Sequence, residues 1–145
     1  MPTTAQFLLP VLALIAWTLV MWFWLYATRL PAMKRAGIDP QEAAHPGTYA
    51  HRMPAHARSV ADNYNHLHEQ PTIFYALMFF IALSGGISAS TLGLAWAYVG
   101  TRVVHSLVQA TINRVVVRFT VFAFGSLLLV CMTVREFLRA FGGAV

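Results

Sequence analysis

Apolar and polar positions follow one another along this chain in long blocks rather than in residue-by-residue alternation. Four of the blocks are mostly apolar and approach the length of about 20 residues that a membrane-spanning helix needs. They predict helices over residues 7–28, 60–87, 91–113 and 115–139. The first block is too long for a signal-peptide core, and Thr18 is the only clearly polar residue from Phe7 to Ala27, so we interpret it as a retained helix. The pattern predicts an all-α membrane protein, a bundle of four transmembrane helices.

The polar stretch between the first two blocks, residues 29–61, is the one large loop of the predicted bundle. Its prolines and glycines interrupt any long helix, and its five basic residues are Arg29, Lys34, Arg35, Arg52 and Arg58. Basic loops favour the cytoplasmic side of a membrane. We therefore expect a multi-pass protein of the cell inner membrane with this loop in the cytoplasm and both termini outside. Arg135 and Arg139 weakly oppose that distribution.

Composition supports the same class of protein and excludes others. Hydrophobic residues make up 58% of the chain and charged residues 10%, whereas a soluble domain carries about 25% charged residues. We therefore expect one membrane domain over residues 1–145 and no soluble module. The net charge of +5 comes from basic residues beside apolar blocks, not from a basic patch with exposed aromatic residues, so nucleic acid is not an expected partner. The single cysteine, Cys131, excludes an internal disulfide.

Polar residues recur at helical spacing on one face of the third predicted helix. They are Tyr98, Arg102, His105, Ser106, Gln109 and Asn113. Placing an arginine such as Arg102 at membrane depth costs about 2.5–3.5 kcal/mol, and such residues face a bundle interior or a wet cavity. We favour a functional site over the alternative, in which this face only joins helices through hydrogen bonds.

A second polar set lies before the second apolar block. Its members share one sector of a helix and are Arg58, Asp62, Asn65, His66 and Glu69. Because Asn63 points away from this sector, we expect Asn65 to be the inward amide. Pro71 follows and should bend the helix. The alternative is a solvated helix end at the membrane surface, with Arg58 and Asp62 forming an ion pair four residues apart.

Two arginines, Arg114 and Arg118, begin the fourth predicted helix one turn apart. Guanidinium groups keep their charge and bind anions, so this pair is a candidate anion site. The alternative is that they anchor the helix at the membrane edge.

Several histidines lie in and after the loop, but their spacing matches no familiar ligand pattern, so we expect solvated histidines and no metal site.

Two segments resemble the MAPEG family, the membrane-associated proteins of eicosanoid and glutathione metabolism. Residues 58–74 read RSVADNYNHLHEQPTIF and are similar to the family's arginine–asparagine–glutamate–proline signature. Residues 98–106 read YVGTRVVHS, and with Asn113, Arg114, Arg118 and Phe119 they resemble its third and fourth helices. The chain departs from the family pattern at two points. The spacing from Asn65 to Glu69 is one residue longer than in the best-known eukaryotic members, and His105 lies where some of those members have tyrosine.

The resemblance implies a homotrimer that binds glutathione between neighbouring subunits near the cytoplasmic face. By that resemblance Arg58, Asn65 and Glu69 hold the charged ends of the peptide, and Arg114 or Arg118 faces its sulfur. The other glutathione-binding candidates are Arg102, His105 and Asn113. Which arginine faces the sulfur stays open, with a preference for Arg118 because it lies deeper in the apolar block.

The function that follows is that of a glutathione-dependent transferase or peroxidase in the membrane. The thiolate is the nucleophilic form of a thiol, and a fixed guanidinium beside the sulfur would favour it. Apolar electrophiles would arrive through the lipid. The alternative is a non-catalytic membrane protein that binds lipid or a partner through the same polar residues.

Overall fold

The computed structural model describes residues 1–45 and 47–142, and all regular structure in this part of the chain is helical. The predicted all-α class is therefore confirmed. Two helices, α1 (Thr4–Arg35) and α5 (Val115–Gly142), are long and apolar enough to cross a membrane. Between them lie α2 (Ala55–His66), α3 (Gln70–Leu83) and α4 (Ala89–Ala110).

Helix α1 starts at a capping box and continues beyond its expected end near residue 28. The Thr3 hydroxyl accepts a hydrogen bond from the Gln6 backbone N–H at 3.2 Å, and the Gln6 side chain accepts one from the Thr3 N–H at 2.9 Å. The helix continues through Pro31 to Arg35. Basic side chains in its last turn favour this extension because they interact with the negative end of the helix dipole.

The loop after α1 is folded against the helices that flank it. Residues 36–54 contain two short 3-10 turns, Pro40–Ala44 and Ala50–Arg52. Arg52 donates to the Glu42 carboxylate at 2.7 Å and to the carbonyl oxygens of Ala36 and Gly37 at 3.0 Å each. A small apolar cluster underneath contains Met33, Ile38, Tyr49, Met53 and Ala57.

The single helix expected over residues 60–87 is two helices in the structure. Helix α2 begins at Ala55, earlier than the expected start at residue 60, and ends at His66, while α3 begins at Gln70. The break between α2 and α3 lies just before Pro71, where the sequence predicts a bend. Proline favours a break there because it lacks a backbone N–H and its ring clashes with the carbonyl group four residues earlier.

One apolar core joins α1, α3, α4 and α5. Its buried members include Phe7, Leu14, Phe74, Met78, Ile81, Tyr98, Leu129 and Met132. Gln70, at the start of α3, donates to the Ser126 hydroxyl of α5 at 2.8 Å and accepts from the Tyr98 hydroxyl of α4 at 3.4 Å. These bonds hold the junction between α2 and α3 against α4 and α5.

The outer faces of the helices carry large apolar side chains that the described fold leaves exposed. They include Leu12, Leu19, Phe23, Phe79, Phe80, Phe119, Leu127 and Phe137. So much exposed apolar surface is unusual for a monomer in water and indicates contact with lipid or with other subunits. Helix α3, with 14 residues, is short for a membrane span, and α4, with 22, carries polar residues along one face. Four complete spans thus remain a prediction.

Candidate functional site

The polar face of α4 points into the bundle. Arg102 is 1% exposed and His105 4% exposed, and Ser106 and Gln109 are buried beside them. The guanidinium of Arg102 lies 5.3 Å from the ring centre of Tyr98 and 5.0 Å from that of Phe122. Its Nε and Nη2 atoms have no hydrogen-bond partner among the described residues. Aromatic faces attract this charge, but they leave its hydrogen-bond donors unfilled.

A glycine on α5 makes room for the Arg102 side chain. A Cβ atom on Gly125 would lie 2.9 Å from Nη2 of Arg102 and 2.6 Å from the hydroxyl oxygen of Thr101. Both distances are too short for ordinary contacts. The absence of a side chain at Gly125 therefore lets α5 pack closely over the buried arginine.

Arg118 lines an open cavity of about 220 Å³ between α2, α4 and α5, which we call the Arg118 cavity. Its lining residues are His66, His105, Val115, Arg118, Phe119 and Phe122. Most of the wall is apolar, with the half-buried guanidinium and two imidazole rings as its polar groups. Arg114 is exposed and does not line this cavity.

Asn113 holds the side chain of Arg118 in place. Its Oδ1 accepts a hydrogen bond from Nη1 of Arg118 at 2.6 Å, and its Nδ2 donates to the Ser59 hydroxyl of α2 at 2.9 Å. Asn113 adopts φ of 45° between α4 and α5, a conformation that asparagine tolerates better than most residues. Because both ends of its amide are bonded within the chain, Asn113 is suited to positioning Arg118 rather than to contacting a ligand.

Two members of this cavity, His66 and Phe122, were not among the predicted glutathione ligands, although His66 belongs to the polar sector predicted before the second apolar block. His66 lies with its ring centre 5.0 Å from that of His105 and stacks on Phe122 at 5.2 Å. Its Nδ1 is 2.8 Å from the Glu69 carboxylate, so Glu69 orients this ring. The signals were present: Phe122 follows Arg118 by one helical turn, and His66 precedes Glu69 by three residues.

A second cavity of about 510 Å³ lies between α1, α2 and the loop, and we call it the Arg58 cavity. Its polar lining includes Arg29, Tyr49, Arg58, Asp62 and Asn65. Arg29 donates a hydrogen bond to the Tyr49 hydroxyl, and its guanidinium lies 5.5 Å from the Tyr49 ring centre. Arg29 was not among the predicted site residues, because the sequence pattern placed it at the start of the loop, whereas it lies within α1 and lines this cavity.

The structure reverses the expected orientation of two asparagines on α2. Asn63 is 0% exposed, and neither amide atom of its side chain has a partner among the described residues. Asn65, predicted to be the inward amide, is exposed and lines the Arg58 cavity. The reason is that α2 packs through the face containing Val60, Asn63 and Leu67, which leaves the sector of Arg58 and Asn65 outside the bundle core.

Apart from Arg114, which lines neither cavity, the predicted site residues fall into two groups. Arg118 and His105 share the Arg118 cavity, with Glu69 and Asn113 bonded to neighbouring side chains. Arg58 and Asn65 share the Arg58 cavity, and the two cavities have no lining residue in common. Arg102 lies next to Phe122 and Tyr98, behind the Arg118 cavity.

Comparison with known proteins agrees with the motifs on these helices. The sequence profile of the MAPEG family matches residues 7–138, nearly the whole chain. Neither the curated proteins nor the solved structures gave a match. The profile match covers both cavities and confirms the resemblance that the motifs suggested. This chain belongs to the MAPEG family and is a membrane protein.

Proposed function

We propose that this protein is a membrane-embedded glutathione-dependent transferase or peroxidase that acts on apolar electrophiles. The observation that carries the proposal is the setting of Arg118. One of its Nη atoms is held by an amide at 2.6 Å, its Nε has no partner among the described residues, and it borders a mostly apolar cavity. A guanidinium held in place beside a mostly apolar wall favours the thiolate over the neutral thiol, since it keeps its positive charge next to the sulfur.

The reaction at the Arg118 cavity would use the thiolate as nucleophile. In transfer, the sulfur attacks an electrophilic carbon, the bond from that carbon to its leaving group breaks, and the thiol proton passes to solvent. In peroxidase chemistry, the sulfur attacks the outer oxygen of a hydroperoxide, the O–O bond breaks, and the alkoxide takes up a proton. The sulfenic acid then condenses with a second glutathione, which forms a disulfide and releases water. Phe119 and Phe122 supply the apolar wall for the electrophile.

The charges of the Arg58 cavity match those of glutathione, which has two carboxylates and one ammonium group. Arg29 and Arg58 can each bind a carboxylate, and Asp62 can accept hydrogen bonds from the ammonium group. The Asn65 amide can pair with the peptide bonds. This assignment adds Arg29 and Asp62 to the ligands that the sequence resemblance implied.

We further propose that the complete site forms between subunits of a homotrimer. The two cavities share no lining residue, so the Arg58 cavity of one subunit would supply the peptide-binding half and the Arg118 cavity of its neighbour the sulfur-binding half. The exposed apolar faces of the helices would bury part of their surface in this assembly. In the proposed topology, one domain with four spans lies in the cell inner membrane, and residues 36–54 face the cytoplasm.

The thiolate test uses purified protein in detergent with bound glutathione. Ultraviolet thiolate absorbance would be measured against pH for wild type, Arg118→Lys and Arg114→Lys. Lysine keeps the charge that orients the helix but loses the planar fork. We expect the thiol pKa to rise in Arg118→Lys alone, with Arg114→Lys as the matched control. Coinciding curves for all three proteins would remove the basis for an enzyme, and binding without turnover would favour the non-catalytic alternative.

The shared site is tested by mixing two kinds of subunit, each impaired in one half of the site, at a glutathione concentration too low for Arg58→Gln to bind. Arg118→Lys and Arg58→Gln subunits would be co-expressed and purified as mixed oligomers. Under random mixing in a symmetric trimer, about one quarter of the sites would combine two intact halves. We expect turnover near that fraction of wild type. Turnover no higher than that of the separate variants would contradict a site formed between subunits.

A further inference from the structure

A third cavity lies at the opposite end of α5 from Arg118, and neither half of the proposed glutathione site reaches it. It has a volume of about 300 Å³ and lies between the turn joining α3 to α4 and the last turns of α5. Its charged lining residues are Arg135, Glu136 and Arg139. We call it the Arg139 cavity.

The charges of the Arg139 cavity do not cancel within the described chain. Glu136 is 5% exposed and accepts a hydrogen bond from Nε of Arg139 at 2.7 Å, so these two charges neutralise each other. Arg135 donates to the Ser90 hydroxyl at 2.7 Å, and over residues 1–45 and 47–142 it forms no ion pair with a carboxylate. The wall therefore carries one unmatched positive charge.

Close packing fixes the wall of this cavity. A Cβ atom on Gly86 would lie 2.5 Å from the Glu136 carboxylate and 2.8 Å from Nε of Arg139, so a side chain there would displace the ends of the ion pair. Arg139 also donates to the Ser84 hydroxyl at 2.6 Å. The ion pair and the turn thus hold each other in position, and ligand binding here would require little ordering of the protein.

The surroundings of the cavity indicate which anion would reach it. Val134, Phe137 and Leu138 are exposed on the same turns of α5, so the charged cavity borders an apolar surface on a helix long enough to cross the membrane. Phospholipids combine these two features, since an anionic phosphate lies next to acyl chains. The guanidinium fork matches the oxygens of a phosphate.

We propose that the Arg139 cavity binds the phosphodiester group of an anionic phospholipid, with Arg135 as its principal ligand. The acyl chains would lie along the exposed apolar side chains of α5. This role also explains why Arg135 and Arg139 lie near the end of α5, which the predicted topology places on the side of the membrane where basic residues are few. The site is independent of the proposed glutathione chemistry, because it shares no residue with either half of that site.

The test measures lipid retention by native mass spectrometry of detergent-purified protein incubated with phosphatidylglycerol. Arg135→Gln should reduce retention about tenfold, the effect of losing one charge-assisted hydrogen bond of about 1.5 kcal/mol. Arg35→Gln is the matched control, since it removes the same charge from an exposed arginine in the last turn of α1 and should leave retention unchanged. Arg135→Lys, which keeps the charge without the fork, should give an intermediate loss.

Two further arms identify the source of the phosphate. Phosphatidylcholine, whose headgroup is neutral overall, and inorganic phosphate should both fail to raise the unfolding temperature in detergent as phosphatidylglycerol does. Equal retention in wild type and Arg135→Gln would overturn the proposal. Equal stabilisation by inorganic phosphate would overturn the lipid as ligand. Glutathione turnover, assayed on the same samples, should not change in Arg135→Gln.

Discussion

Helix α5 carries an arginine near each end, and the two are held by different partners. Near its start, Arg118 donates to the neutral amide of Asn113 at 2.6 Å. Near its end, Arg139 donates to the buried carboxylate of Glu136 at 2.7 Å. A neutral partner orients an arginine and leaves its charge for a ligand, whereas a carboxylate neutralises that charge within the fold.

The charge of the hydrogen-bond partner distinguishes an arginine that is available to bind an anionic ligand from one that stabilises the fold. Arg135, one turn before Arg139, resembles Arg118 in this respect, because its partner is the uncharged hydroxyl of Ser90. Residue type and helix are the same in all three cases. We therefore expect the chemistry of the partner to decide the role of each arginine.

Replacing Arg118 should have the largest effect on turnover. Arg118→Gln removes the cation next to the proposed thiolate, and removing one such stabilising group lowers kcat by about 100-fold or more. Arg139→Gln, the matched change at the other end of α5, should leave turnover near wild type and lower thermal stability instead. Steady-state kinetics and unfolding temperatures of both variants would check this contrast. Equal losses of turnover would contradict it.

Replacing Arg58 should weaken binding rather than chemistry. Arg58→Gln removes a charged hydrogen bond to a glutathione carboxylate worth about 1.5–3 kcal/mol, so we expect Kd to rise roughly 30-fold in calorimetric titration. The pKa of the bound thiol should stay the same. Arg35→Gln serves as the charge-matched control, and an unchanged Kd for Arg58→Gln would refute the carboxylate assignment.

Changing the partner of Arg118 should make the start of α5 resemble its end. Asn113→Asp keeps a residue that tolerates φ of 45°, but it places a carboxylate against Arg118. We expect the bound thiol pKa to rise and turnover to fall about tenfold, a change of about 1.4 kcal/mol. Asn113→Gly removes the amide without adding charge and should cost less. A variant Asn113→Asp with wild-type thiol pKa would show that the partner's charge does not control Arg118.

Disturbing the ion pair at the end of α5 should lower stability without changing glutathione turnover. Gly86→Ala places a methyl group 2.5 Å from the Glu136 carboxylate, and such overpacking costs about 1 kcal/mol or more. Gly93→Ala is the matched control, because a Cβ there meets no atom within 4 Å. Thermal unfolding in detergent should show a lower midpoint for Gly86→Ala only, with glutathione turnover unchanged in both variants.

Much of the fold was predictable because its main signals are local. Apolar blocks located the helices, and Pro71 marked the interruption between α2 and α3. The helical spacing of Arg102 and His105 indicated one face, which the structure buries. Helix ends were less predictable. Helix α1 continues to Arg35, because capping, the helix dipole and packing stabilise its last turns although these turns contain polar residues.

The sequence by itself determined the family, the helical class and the residue types available for chemistry. Only the tertiary structure decided which side chains share a cavity. It buries Asn63 and exposes Asn65, brings His66 onto Phe122, and separates Arg58 from Arg118. The physical reason is that spacing along one helix defines a face, but the direction of that face depends on which neighbouring helices bury the most apolar surface against it.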